Sequence, residues 1–203
     1  MDRTQLLYIH GGMTFLKHED YLRYLRTREV ILERPSFWTE VLEEQLGPDF
    51  QIIRPRMPLR ENASYEDWKI HFERYIPLLD GEVILAGYSL GAIFLVQYLS
   101  ENKFPKEIIA LHLVAAPFDG NLPGEDLVGG FRLQSDLSLL QENCSHIHFW
   151  FSADDEVIPL SHAESYRQKL PGAQIDIIDG AQGHFRLEEF PAFVQAIKKD
   201  AGK

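Results

Sequence analysis

Apolar residues recur along this chain in short runs separated by longer amphipathic stretches. Six runs stand out: Leu6–Ile9, Gln51–Arg54, Val83–Ala86, Ile108–Ala115, His146–Phe151 and Gln174–Ile178. Several are nearly continuous instead of alternating, which is the pattern of strands covered on both faces, as in a parallel sheet. Helical stretches fall between them. Ser36 is placed to cap a helix reaching about Leu46, where Gly47-Pro48 stops it. Ser64 with Asp67 reads as a capping box for a helix ending near Ile76-Pro77, and Leu90–Ser100 is a third helix. Ser161 with Glu164 opens a fourth, closed by Leu170-Pro171-Gly172, and a last helix covers roughly Pro191–Lys199. This rhythm predicts an α/β fold: one domain over residues 1–203, with a doubly wound, mostly parallel sheet of about six strands.

Two connections exceed the usual length of about two to six residues. Residues 13–34 have room for a helix around Lys17–Thr27. Residues 118–145 combine a glycine- and proline-rich half with a helical half, Ser135–Glu142. Both leave from the C-terminal ends of strands, the edge where this architecture binds ligands. They are expected to supply a lid and a pocket wall.

Composition narrows the function classes. Of 203 residues, 45% are hydrophobic and 25% charged, an ordinary globular balance. Lys and Arg number 20 against 31 Asp and Glu, a net charge of −11, with no basic run longer than Lys198-Lys199. That charge argues against nucleic acid and anionic membrane surfaces as partners. Cys144 is the single cysteine, so an intramolecular disulfide and a thiolate-rich metal site are both excluded. The first residues lack the apolar stretch of a signal peptide, and no window holds 18 uninterrupted apolar residues. A cytoplasmic location is expected.

The chemistry concentrates in Val83-Ile84-Leu85-Ala86-Gly87-Tyr88-Ser89-Leu90-Gly91-Ala92, a G-x-S-x-G between a buried strand and an apolar helix. That context is what a nucleophile elbow requires: a sharp strand-to-helix turn that lifts the serine hydroxyl above the sheet, at a helix N-terminus. A serine needs a base, and the base needs an orienting acid, in the chain order Ser, Asp or Glu, His. His184, on a loop after the last strand and flanked by Gly180 and Gly183, has the position of the base. The acid belongs after the preceding strand, in Ser152-Ala153-Asp154-Asp155-Glu156-Val157-Ile158-Pro159. Asp155 is preferred because Pro159 follows it by four; Asp154 is the alternative and Asp119 a lesser one. For the oxyanion hole, one backbone N–H comes from Leu90. The second comes from His10-Gly11-Gly12-Met13, with Gly12 preferred and Met13 next. Met13, Tyr88, Phe118 and Phe185 are expected in the substrate pocket.

These motifs resemble the α/β-hydrolases. More narrowly, the chain is similar to the small serine hydrolases of the retinoblastoma-binding-protein type, on Arg56-Met57-Pro58, Gly87-Tyr88-Ser89-Leu90-Gly91-Ala92-Ile93, Asn143-Cys144, Ser152–Pro159 and Gly183-His184-Phe185. The likeness covers most of residues 50–200. It departs at the N-terminus, where residues 13–34 form a longer insertion and His10-Gly11-Gly12 follows the general esterase pattern. The resemblance implies a Ser-His-Asp triad acting on a small-molecule ester, thioester or amide through an acyl-enzyme, with no metal and no organic cofactor. Acyl transfer to an acceptor other than water, and a non-catalytic interaction module with a retained triad, are the rival readings. Oligomeric state is not encoded in any of these motifs.

Overall fold

The computed structural model describes residues 3–32 and 36–203. Six strands, β1 (Thr4–Ile9), β2 (Phe50–Ile53), β3 (Glu82–Tyr88), β4 (Glu107–Val114), β5 (Ile147–Ser152) and β6 (Gln174–Ile178), form one sheet in the order β2-β1-β3-β4-β5-β6. Every neighbouring pair is parallel. The near-continuous apolar runs are explained by helices on both faces. The strand order reverses between β1 and β3, where Ile9 pairs with Gly87. The loops leaving these two strands therefore stand side by side at the switch point, the position that binds ligands in open α/β sheets.

Among the described residues seven α-helices accompany the sheet: α1 (His18–Thr27), α2 (Trp38–Leu46), α3 (Tyr65–Glu73), α4 (Leu90–Glu101), α5 (Ser138–Asn143), α6 (Ser161–Lys169) and α7 (Pro191–Asp200). Helix α4 is buried from Leu90 through Leu99, which accounts for its nearly all-apolar sequence. Its Phe94 is ringed by Tyr65, Trp68 and Phe72 of α3 and by Tyr98. Helices α2 and α7 join through Trp38 and Phe193, whose ring centroids lie 5.0 Å apart.

The expected caps differ from the observed ones. Ser64 occupies the N-cap of α3 in extended conformation, but its side chain bonds no helical N–H, and α3 ends at Glu73, ahead of a 3-10 turn over Ile76–Leu78. Helix α6 is capped by Leu160, with Ser161 already helical, and α2 starts after Phe37, not Ser36. In α2 the Trp38 N–H is taken by the Leu187 carbonyl, so tertiary contact replaces the local cap.

The two long connections meet. Thr14 and Asp126 form an antiparallel bridge, the Thr14 hydroxyl donates to the Asp126 carbonyl at 2.6 Å, and the Leu16 N–H reaches the Asp126 carboxylate at 2.9 Å. Helix α1 has no buried residue and packs on Phe15, whose ring lies 5.6 Å from Tyr21 and 5.5 Å from Tyr24. The end of the first connection, residues 33–35, lies outside the described residues.

A histidine cluster lies under α7. The His112 ring bonds Asp200 at 2.9 Å through Nε2 and accepts the Trp150 indole N–H at Nδ1, 3.3 Å away. The His148 ring stacks on Trp150 at 3.8 Å and bonds Asp176 at 2.9 Å. Accepting at Nδ1 makes His112 the neutral tautomer. Burial pushes both imidazoles down, His148 to about 4, with the neighbouring His112 adding to its shift. A histidine held neutral when folded takes up its proton only on unfolding, so its stabilisation is complete above about pH 6.5 and is lost as the pH falls towards 4. The Tm is expected to drop on the order of 5 °C between about pH 8 and pH 5, and the drop should shrink in His148→Phe. An unchanged slope in that variant would remove His148 from the explanation. Among the described residues, no His, Cys, Asp and Glu are grouped so as to hold a metal ion.

Candidate active site

The strand-to-helix turn after β3 is made possible by two glycines. A Cβ on Gly87 would stand 2.6 Å from the Gly91 carbonyl, and one on Gly91 would collide with the Ile9 and His10 carbonyls. Ser89 sits between them at φ 54° and ψ −119°, a conformation that side chains rarely adopt. The strain is held by the Ser89 N–H, which donates to the Val114 carbonyl of β4 at 2.8 Å, and by α4, whose Ala92 N–H bonds the Ser89 carbonyl at 2.9 Å. The Leu90 N–H at the start of α4 has no acceptor among the described residues.

The loop after β1 lies against this turn. The Met57 N–H donates to His10 Nε2 at 3.0 Å, so Nδ1 carries the proton and donates to the Gly11 carbonyl at 2.7 Å. Burial lowers the His10 pKa, in keeping with this neutral form. The Met13 N–H is bonded to the Arg60 carbonyl at 2.9 Å. Met13 is thereby corrected as a second-choice oxyanion donor: its N–H is engaged, whereas the Gly12 N–H has no acceptor among the described residues.

His184 follows β6 on a contorted loop, with Gly180 at φ 72°, Gln182 at 54°, Gly183 at 72° and Phe185 at 51°. The Tyr88 hydroxyl, next to Ser89, donates to the His184 carbonyl at 2.6 Å and ties the two loops together. His184 Nδ1 lies 2.8 Å and 3.1 Å from the two carboxylate oxygens of Asp155. A carboxylate only accepts, so Nδ1 carries the proton and Nε2 keeps its lone pair. The Asp155 side chain is 1% exposed. Burial pushes its carboxyl up, but the His184 hydrogen bond, the attraction of that imidazole whenever it is protonated, and the N–H groups of Ile158 and Val157 outweigh this, so the pKa lies below the ordinary carboxylate value. The N–H groups of Val157 and Ile158 meet Oδ1 at 2.8 and 2.9 Å. Asp154 is exposed and bonds the Ser152 hydroxyl at 2.6 Å. Asp119 is exposed too and takes the Asn121 N–H of its own turn.

Ser89 and His184 open onto one cavity of about 370 Å³, with Gly12, Met13, Tyr88 and Leu90 on its wall. The long connections supply Tyr24, Arg28, Leu122, Glu125, Asp126 and Leu127. Burial raises the Glu125 carboxyl, a protonated His184 would oppose the rise, and Asp126 adds to it. Phe118 and Phe185, expected in this wall, lie elsewhere. Phe118 packs edge-on against Tyr166 at 5.1 Å, and Phe185 is 1% exposed, against Phe190. The Phe185 ring turns into the core, where burying an aromatic stabilises most, and the half-buried Phe118 packs against the core's edge. Arg60, Arg28 and Glu125 carry no motif and were not singled out by sequence.

A six-stranded parallel sheet with a strained serine on the elbow at its switch point defines the α/β-hydrolase class. Within it, the chain belongs to the serine hydrolase family, whose model matches residues 33–194. YdeN of Bacillus subtilis (strain 168) is 26% identical over 158 residues, covering 76% of this chain and 80% of YdeN. The crystal structure of the B. subtilis ydeN product superposes with a TM-score of 0.78 at 20% identity, covering 98% of this chain and all of that one. Naproxen esterase of B. subtilis superposes at 0.62 and 12% identity, over 100% of this chain and 84% of that one. The thioesterase domain from the curacin biosynthetic pathway superposes at 0.62 and 14%, over 97% and 91%. These superpositions speak to the fold. The narrower retinoblastoma-binding-protein type stays a resemblance carried by motifs. Among the described residues, no helix is long and apolar enough to cross a membrane.

Proposed function

We propose that this hydrolase is an esterase working through Ser89, His184 and Asp155. The observation that carries the reading is the Asp155-bound His184 opening onto the same cavity as a serine held in strained conformation. His184 Nε2 takes the proton as Ser89 Oγ attacks the carbonyl carbon of a small acyl substrate. The N–H groups of Gly12 and Leu90 receive the negative charge on the carbonyl oxygen. The C–O bond to the leaving group breaks as His184 returns the proton to it, leaving an acyl-enzyme on Ser89. Water, deprotonated by His184, then releases the acid and regenerates the serine. Asp155 holds the Nδ1–H tautomer throughout.

A cavity of about 370 Å³ is at the small end for ligand sites, and favours short acyl chains. With nitrophenyl esters of rising acyl length, kcat/KM is expected to peak at about four carbons or fewer and to fall at least about tenfold by eight, since a chain too long for the cavity must strain itself or the wall, at about 1–3 kcal/mol, to keep its carbonyl at Ser89. A fluorophosphonate should label the protein. A folded protein that takes no label and cleaves no ester would favour the interaction-module reading. Product that appears only with an added alcohol or thiol would favour acyl transfer.

A further inference from the structure

The Gly12 N–H belongs to the same peptide as the Gly11 carbonyl, and in a trans peptide the two point in opposite directions. Whatever holds the Gly11 carbonyl therefore aims the Gly12 N–H. Two donors hold it: His10 Nδ1–H at 2.7 Å and, from 49 residues away, Arg60 Nε–H at 3.1 Å. On the other side of Gly12, the Arg60 carbonyl takes the Met13 N–H and the Ala63 N–H donates to the Met13 carbonyl, each at 2.9 Å. One arginine thus grips this loop by its side chain before Gly12 and by its main chain after it. The grip is close: a Cβ on Gly12 would stand 2.8 Å from the Arg60 carbonyl. A peptide between two glycines has little intrinsic preference for one orientation. If it rotated by half a turn, it would present a carbonyl oxygen, not an N–H, to the cavity.

We propose that Arg60 is a positioning residue of the oxyanion hole. Its guanidinium pins the Gly11 carbonyl away from the cavity and so keeps the Gly12 N–H directed at the developing oxyanion. The inference rests on the reading of Ser89 and Gly12 given above. Arg60 also stands on the wall of the Ser89 cavity, but the role assigned to it is the hold on the Gly11 carbonyl and not a contact with the substrate. Its effect is on the transition state alone, and it should act on kcat and leave KM in place.

The test compares Arg60→Met, Arg60→Lys and Arg54→Gln on a neutral short-chain nitrophenyl ester. Arg54 is an exposed arginine that removes a nearby charge without touching Gly11. Loss of a whole oxyanion donor lowers the rate about 10²–10³-fold. A donor left in place but less firmly aimed should give a smaller loss, so Arg60→Met is expected to lower kcat about 10–100-fold with KM within about twofold. The Ki of a trifluoromethyl ketone, whose adduct carries an oxyanion, should rise by the same factor as kcat/KM falls. Arg60→Lys should recover to within about fivefold of wild type, because a single ammonium N–H can serve the same carbonyl. Arg54→Gln should match wild type. A rise in KM at constant kcat would overturn the proposal in favour of a substrate contact. So would a loss that Lys does not restore and that tracks Tm. The Gly12 amide resonance supplies a readout without catalysis: it should shift in Arg60→Met and stay in Arg54→Gln, and an unmoved resonance overturns the clasp. Should wild type itself fail to hydrolyse or label, the Ser89 reading fails, while the amide resonance still tests the clasp.

Discussion

Ser89→Ala is expected to abolish fluorophosphonate labelling and to lower kcat on a short-chain nitrophenyl ester by about 10⁴–10⁶, because a nucleophile and its base act as a unit. The fold should survive. The turn is held by the Ser89 N–H and carbonyl, bonded to Val114 and Ala92, and not by the hydroxyl. Ser89→Gly should be equally inactive and more stable than Ser89→Ala. At φ 54° and ψ −119° a Cβ is strained, and glycine relieves it. Strain of about 1–3 kcal/mol, reduced by the extra unfolded-state freedom of glycine, leaves a gain of about 1 kcal/mol or a Tm rise of about 2–4 °C. Calorimetry on the two variants reads this directly. If Ser89→Ala keeps its activity, the nucleophile is elsewhere. If Ser89→Gly melts below Ser89→Ala, the elbow is not a strained element.

The sheet was legible because burial on both faces writes itself as apolar runs. Gln174–Ile178 matches β6 to the residue, and the other five runs fall within two residues of their strands at each end. The order of strands was not legible, and neither was what it brings together, the β1 and β3 loops at the switch point. The elbow and the histidine loop were readable through glycines, since positive φ at Gly180 and Gly183 leaves a compositional trace. The same conformation at Gln182 and Phe185 leaves none, because there the surrounding contacts impose it. The cap failed at Ser36 because the first N–H of α2 is taken by the distant Leu187 carbonyl, and at Ser161 because the local turn begins earlier, with the His162 N–H on the Pro159 carbonyl. Arg60 had no signal at all. Its contact with Gly11 spans 49 residues and depends on the loop at Leu59, in left-handed conformation at φ 46°. Cavity walls are built from such long-range contacts, which explains why Met13 and Tyr88, adjacent to motifs, were found and Glu125 was not.

Asp155→Asn is expected to lower kcat by about 10³–10⁴ while Asp154→Asn stays within about threefold of wild type. The two neighbours differ in what they touch. Asp155 accepts the Val157 and Ile158 N–H groups through Oδ1 and has Oδ2 2.8 Å from His184 Nδ1. In Asp155→Asn the amide oxygen is drawn to the two N–H donors, so the amide nitrogen faces His184. Two donors cannot share a hydrogen bond, and the imidazole must move its proton to Nε2. That tautomer cannot take the Ser89 proton, although every ring position is unchanged. The loss should therefore fall on kcat, and the variant should fold. Stability separates the variants as well. The Asp155 pKa is depressed in the folded protein, so its ionised form stabilises the fold above the unfolded value of about 3.9 and ceases to do so as pH falls through the folded value. Wild type should lose Tm relative to Asp155→Asn only below about pH 4, outside the window in which His112 and His148 act. A severe Asp154→Asn with a mild Asp155→Asn would reassign the acid, and with it the tautomer argument for His184.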